Sequence, residues 1–290
     1  MTTPANLPQN ESTYVIDAEN AAEMARLTRQ DRLITKTMGG LFPERSDLSG
    51  VHDILDVACG PGGWVLDVAC TYPQVRVTGI DISVLMIEYA RAKALTQGLK
   101  NTSFRVMDAL KPLDFPDESF DLVNARSIFA FVPTPAWPGL LKECLRITRP
   151  GGVIRLTEPE WYITNSPATE KLNTIFLQAL KTAGQSFSPD GRHAGITPML
   201  GRLLHDAGCV NIQKKAHVLD CSAGAEMHTS TYENYLIGFK LIQPFLVRMG
   251  GATQEEIDVL YHRMLEEMQA GDFCGIMFFL TVWGLKPGQD

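Results

Sequence analysis

From residue 53 onward the apolar positions switch between two rhythms. Short β-rich runs, "DILDVA", "VRVTGI", "SFRVMD", "FDLVNARS" and "VIRLTEP", are separated by longer stretches with helical spacing, "GGWVLDVACTY", "SVLMIEYARAKALTQG" and "WPGLLKECLRI". A Pro-marked loop joins the third and fourth runs, and "TRPGG" reads as the turn before the fifth. Strand alternating with helix predicts an α/β protein whose parallel sheet is covered on both faces. Further on, "TPMLGRLLHDAGC" reads as a helix, and "VNIQKKAHVLD" and "GIMFFLTVWGLKP" as two more strands.

Two stretches break the repeat. Residues 161–194 separate the fifth strand from its helix, and residues 221–272 separate the last two strands, with helical patterns in "YENYLIGFKLIQPFLVRM" and "QEEIDVLYHRMLEEM". Connections of that length inside a compact domain are usually lids or binding elements. Before the first strand, a helix is expected from about Ala18 to Met38, with Met24, Leu27, Ile34 and Met38 on one face and Gln30 and Asp31 within or beside that stripe. The expected organisation is a helical lid over 1–50, a core over 51–220 interrupted at 161–194, a second helical lid over 221–272, and the last core strand over 273–290. A substrate pocket is expected beneath the two insertions and the N-terminal helix.

Composition narrows the possible functions. With 290 residues and 45% hydrophobic content, the chain can bury a substantial core. Its formal charge of −7, with no basic cluster, argues against a nucleic-acid partner. No apolar run approaches the length of a membrane span, and "MTTPANLPQNEST" lacks the basic and apolar regions of a secretion signal, so a cytoplasmic protein with no membrane partner is expected. The six cysteines are far apart and form no CxxC pair, which predicts reduced thiols and no metal site.

The candidate chemistry lies at the strand ends. "DILDVACGPGGW" runs from a buried strand through a glycine turn into a helix, an arrangement that lets a ligand approach the backbone and favours negative charge at the helix start. The glycines are Gly60, Gly62 and Gly63, and Val65 stands where the third glycine of a G-x-G-x-x-G dinucleotide fingerprint would be, which argues against a pyrophosphate site. "ILDVACGPGG" instead resembles the first motif of the class I S-adenosylmethionine-dependent methyltransferases, with Asp56 as its acidic residue. Ala58 takes the place often held by the first glycine.

That resemblance is strong over about residues 50–160 and weak for the final strand. It implies a Rossmann-like, doubly wound, mostly parallel seven-stranded sheet with an antiparallel last strand. It also implies S-adenosyl-L-methionine as cofactor and S-adenosyl-L-homocysteine as product. Asp81, about 25 residues after Asp56, would accept the ribose hydroxyls, and Ile82 and Met86 would pack on adenine. Asp108 would accept the adenine amino group and Ala109 would offer its backbone N–H. The carbonyls of Asn124 and Ala125 would face the amino group of the methionine moiety. Gln30 is expected to donate to the cofactor carboxylate, with Tyr14 closing over it.

A sulfonium methyl is already activated, so transfer depends mainly on holding a nucleophile close and excluding water, with a base needed only for some acceptors. Of the candidate bases His193, His217, His228 and Glu158, the best placed in sequence are His193 and Glu158. Asn124-Ala125-Arg126-Ser127 lacks the Asn/Asp-Pro-Pro-aromatic run of base-flipping relatives. The expected acceptor is a small, largely apolar molecule, such as a secondary metabolite, methylated on O, N or C by a monomer or homodimer. Two alternatives keep the same pocket: a non-methylating reaction such as cyclisation, and a non-catalytic binding module.

Overall fold

The computed structural model describes residues 14–45 and 47–288; the stretch read above for a secretion signal lies outside them. Inside the sheet lies β1 (Asp53–Val57), in which Ile54, Leu55 and Val57 are wholly buried. Such a run, apolar on both faces, is what a parallel strand covered from both sides requires. It pairs in parallel with β2 (Arg76–Asp81) and β4 (Phe120–Arg126); β3 (Thr102–Val106) adds beyond β2, and β5 (Thr148–Thr164) beyond β4. The order is β3-β2-β1-β4-β5-β7-β6, with β7 (Gly275–Leu285) antiparallel to both β5 and β6 (Val210–Asp220). This is the seven-stranded, Rossmann-like sheet with a reversed last strand that the sequence implied.

Successive residues of the central strands feed opposite cores. Ile54, Val77 and Leu122 join the layer of α2 (Gly63–Thr71) and α3 (Val84–Thr96). Leu55, Val57 and Val123 join the layer that holds α1 (Ala21–Met38), α4 (Trp137–Ile147) and α5 (Pro167–Thr182). The chain is completed by α6 (Leu200–Ala207), α7 (His228–Arg248) and α8 (Gln254–Met268).

Two boundaries differ from the sequence reading. Helix α1 begins at Ala21, because the Asn20 side chain accepts from the backbone N–H of Ala22 at 2.8 Å and so caps the helix there. "TRPGG" is not a free turn but the start of β5: Thr148 already pairs with Phe120, and the irregularity falls before the Leu122–Val153 pair. Gly151, at φ +75°, and Gly152, whose Cβ would lie 2.9 Å from Asp121 O, make that irregularity possible.

Both insertions carry helices that cover one rim of the sheet. In the first, β5 runs on to Thr164 and is followed by α5; in the second, α7 and α8 follow β6. Helix α5 packs on α8, and α1 packs on α7.

Candidate active site

A cavity of about 300 Å³ opens where β1, β2, β3 and β4 release their loops, and it extends under α1 and α7. This is the carboxyl edge of the parallel strands, where open α/β sheets bind ligands.

The turn after β1 forms its floor. Ala58 takes φ +56° and Gly60 φ +54°, so the position occupied by Ala58 demands left-handed backbone, a conformation glycine adopts without strain. Gly62 (φ +77°) leaves no room for a side chain, since a Cβ would lie 2.7 Å from Phe104 Cε1 and 2.8 Å from Ala90 Cβ. The Gly60 N–H donates to Asp81 Oδ2 at 2.9 Å, and the Ser83 N–H donates to Asp81 Oδ1 at 2.9 Å. One carboxylate at the end of β2 thus joins the two loops, and burial pushes its pKa up. Ile82, Met86, Asp108 and Ala109 line the same wall, and Asp108 also accepts from the Leu110 N–H at 2.9 Å.

Asp56 is set by a buried relay. Arg155 on β5 donates from Nε to Glu44 Oε1 at 2.5 Å and from Nη1 to Asn124 Oδ1 at 2.7 Å. With its carbonyl so engaged, Asn124 turns its Nδ2 to Asp56 Oδ1 at 2.7 Å. Burial pushes the Asp56 carboxyl up to about 7, against the pull of Arg126 and of the Asn124 amide. Asn124 and Ala125, whose backbone carbonyls were expected to face the methionine amino group, lie within the β1–β4–β5 ladder off the cavity wall, which Arg126 and Ser127 form.

Helix α1 brings an unexpected charge cluster. Glu23 and Arg26, one helical turn apart, are both buried and joined by Nη2–Oε1 and Nε–Oε2 bonds of 2.5 and 2.7 Å. Tyr14 donates to Glu23 at 2.6 Å, and Arg26 Nη1 donates to Gln30 Oε1 at 2.6 Å and to Asn234 Oδ1 on α7 at 2.9 Å. Tyr14 and Gln30 both line the cavity as expected, but each is tied into this network. Farther along α1, Asp31 pairs with Arg126.

Beyond these polar groups the cavity is aromatic. Trp161 lies 4.5 Å from Phe176 between ring centroids, and Tyr162 meets Tyr235 edge-on at 4.6 Å. Phe239 continues the row at 5.1 Å from Tyr235. Burial holds the Tyr162 and Tyr235 phenols well above their usual range, so both stay protonated.

Neither candidate base reaches this space. His193 is exposed on the loop after α5, where its own carbonyl accepts from Ser186 Oγ at 3.2 Å. Glu158 is wholly buried, but it accepts from the Ile128 and Phe129 N–H groups at 2.9 and 3.2 Å. Strand parity explains this: Pro159 and Trp161 line the cavity, and Glu158 lies on the other face of β5. Burial pushes Glu158 up to about 8, while those two N–H groups pull the other way. His217 and His228 also lie off the cavity wall, His228 with Nδ1 bonded to Cys221 O at 2.9 Å. Among the described residues no group of His, Cys, Asp or Glu is placed to hold a metal ion, and no helix is long and apolar enough to cross a membrane.

An adenosyl amino acid fits the donor set. Asp81 and Asp108 stand at successive strand ends beside the apolar Ile82 and Met86, and four polar atoms of wall residues, Asp31 Oδ2, Trp64 Nε1, Ser127 Oγ and the Tyr235 hydroxyl, are buried without a partner. Unpaired polar groups on a cavity wall are what a polar ligand would satisfy.

Residues 54–152, the segment that builds this floor, match the family described as "Methyltransferase domain". Over that segment the chain is similar to class I S-adenosylmethionine-dependent methyltransferases. Among methyltransferase relatives, the aklanonic acid methyltransferase DauC of a Streptomyces is 40% identical over 113 residues, covering 37% of this chain and 47% of the relative. The trans-aconitate 2-methyltransferase of Deinococcus radiodurans is 27% identical over 257 residues, 85% of this chain and 91% of that one. The YcgJ protein of Bacillus subtilis has a similar fold, with a TM-score of 0.54 at 17% identity, over 88% of this chain and 99% of that one. The chain spans 32%, 41% and 47% of the length of three curated methyltransferases it matches.

Proposed function

We propose that this chain transfers a methyl group from S-adenosyl-L-methionine to a neutral, largely apolar small molecule. The observation that carries the reading is the joining, in one cavity, of a polar strand-end rim to an aromatic chamber with no free charge. Arg26 lies against that chamber's α7 wall at Gly238, and its charge is neutralised by Glu23 while Glu23, Gln30 and Asn234 take four of its five N–H groups. A polycarboxylate such as the acceptor named for the Deinococcus relative would find no counter-charge there.

When bound, the cofactor supplies a methyl group already activated by the sulfonium charge. Asp81 and Asp108 would hold its ribose and adenine, with Ile82 and Met86 against the base. Trp161, Phe176, Tyr162 and Phe239 would seat a flat acceptor and exclude water, and Tyr235 would orient a polar atom of it. Protonated phenols cannot act as bases, and no histidine lines the cavity. The reading therefore favours acceptors whose nucleophile needs no strong base to unmask it.

The test is mass spectrometry after incubation with methyl-labelled cofactor and a panel of phenols, amines, indoles and carboxylic acids. Gain of one labelled methyl on a neutral aromatic member is expected. Labelling confined to polycarboxylates, or cofactor turnover with no methylated product, would overturn the reading.

A further inference from the structure

Two opposite-charge pairs line or flank the cavity, and they differ in what they leave free. Glu23 and Arg26 close on each other: the carboxylate takes Tyr14 and two guanidinium N–H bonds, and the guanidinium is also spent on Gln30 and Asn234. Asp31 and Arg126 do not. Arg126 gives Nη2 to Asp31 Oδ1 and Nη1 to Thr35 Oγ1 at 3.1 Å, two of the five N–H groups a guanidinium carries. Asp31 uses Oδ1 alone, and its Oδ2 is buried without a hydrogen-bond partner. The two side chains are only 10% and 12% exposed, a placement whose desolvation cost a single ion pair scarcely offsets.

Their location is specific. Arg126 ends β4 beside the turn that leaves β1, and Asp31 Oδ2 occupies the space a Gly63 Cβ would need, against the first turn of α2. That helix has Gly62 at its N-cap and no side chain capping it, so its first N–H groups add positive potential to the corner. The indole of Trp64 lies beneath the Arg126 guanidinium, 5.7 Å from ring centroid to Cζ, and its Nε1–H is buried and unpaired. One corner thus offers spare donors for an anion and a spare carboxylate oxygen for a cation, a few ångströms apart.

We propose that Asp31 and Arg126 form a zwitterion clamp for the α-amino acid end of the cofactor, Arg126 with Trp64 Nε1 taking the carboxylate and Asp31 Oδ2 taking the ammonium. This rests on the cofactor reading above and changes it in one respect: the carboxylate goes to the charged Arg126, which has N–H groups to spare, rather than to the neutral amide of Gln30. A zwitterion extends the existing pair without adding net charge to a buried site, whereas a simple anion or cation would leave one partner in excess.

Calorimetry on the full chain with three ligands tests the clamp. S-adenosyl-L-homocysteine carries both charges, its decarboxylated analogue carries the amine alone, and 5′-methylthioadenosine carries neither. Arg126→Gln should weaken S-adenosyl-L-homocysteine about 10- to 100-fold and leave the other two within about twofold. Asp31→Asn should weaken both amine-bearing ligands by a similar factor and spare 5′-methylthioadenosine, whose retained binding also reports that the variants are folded. An equal loss for all three ligands would show a purely structural pair and overturn the proposal, as would wild-type binding of S-adenosyl-L-homocysteine and 5′-methylthioadenosine with equal affinity. Failure of the wild-type chain to bind either of those two would overturn the adenosyl reading itself, and the clamp with it.

Discussion

Arg26 on α1 donates to Asn234 on α7 at 2.9 Å, so that helices separated by two hundred residues of chain are joined through one guanidinium at the cavity wall. Glu23 holds that guanidinium in place from below. The two cover helices are therefore coupled by a buried charge, which has a direct energetic consequence.

Glu23→Gln should destabilise the fold by about 3–5 kcal/mol, because it leaves Arg26 buried without its counter-ion. The double variant Glu23→Leu/Arg26→Met, which removes both charges, should recover much of that loss. Urea unfolding of the three proteins measures both quantities, and a cost under about 1 kcal/mol for the single variant would contradict the pairing.

Asp81→Ala should reduce affinity for S-adenosyl-L-homocysteine by about 1–3 kcal/mol, roughly 10- to 100-fold. The carboxylate both offers acceptors to a ribose and fixes the Gly60 and Ser83 loops through their N–H groups. Titration calorimetry reads the change, and an unaltered dissociation constant would remove Asp81 from the binding site.

Gly62→Ala should cost more than about 1 kcal/mol. Ala58 shows that the turn tolerates a methyl group in left-handed backbone at φ +56°. At Gly62 the same conformation coincides with a Cβ position 2.7 Å from Phe104 and 2.8 Å from Ala90, so strain and overlap add. Thermal unfolding of Gly62→Ala compared with wild type is the measurement, and an unchanged midpoint would contradict the close packing.

The stability of this protein should decline as pH rises from about 4.5 to about 8, the interval between the ordinary pKa of a glutamate and that of buried Glu158. Within it the folded chain retains a proton that the unfolded chain has released, so each step upward favours unfolding. The favourable term is complete below the lower value and lost above the higher one. Asp56, shifted from 3.8 to about 7, acts in the same direction. In Glu158→Gln this slope should flatten, leaving the Asp56 part; denaturant midpoints at pH 5 and pH 8 compare the two proteins.

The parts of the fold readable from sequence were those set by local pattern. "QEEIDVLYHRMLEEM" is α8 residue for residue, since Thr253 and Glu256 form a capping box and the apolar spacing is helical. That Gly60, Asp81 and Asp108 share one cavity wall was legible because a parallel sheet delivers the end of every strand to one rim, whatever the side-chain detail; Gly62 serves the packing of the turn and does not line the cavity. Other assignments required knowing which way a side chain turns. Glu158 looked available at a strand end, yet one residue of parity sends it to the wrong face. His193 lay near the right segment, but its loop presents it to solvent. Arg126 went unread because its partner Asp31 is 95 residues away. Glu23 and Arg26 did carry a signal, since with Gln30 they repeat at three and four positions along one helix face, but such a stripe ordinarily reads as solvated.

Strand β7 runs against its neighbours, so Gly275 at its beginning lies beside Thr164 at the finish of β5. Were it parallel, the connection from β6 would arrive at the opposite edge, far from Asp56 and Asp81. The reversal makes α7 and α8 an exchangeable cassette: a helical pair of different size could be spliced between β6 and β7, recutting the acceptor chamber while every register that fixes the nucleotide side stays in place.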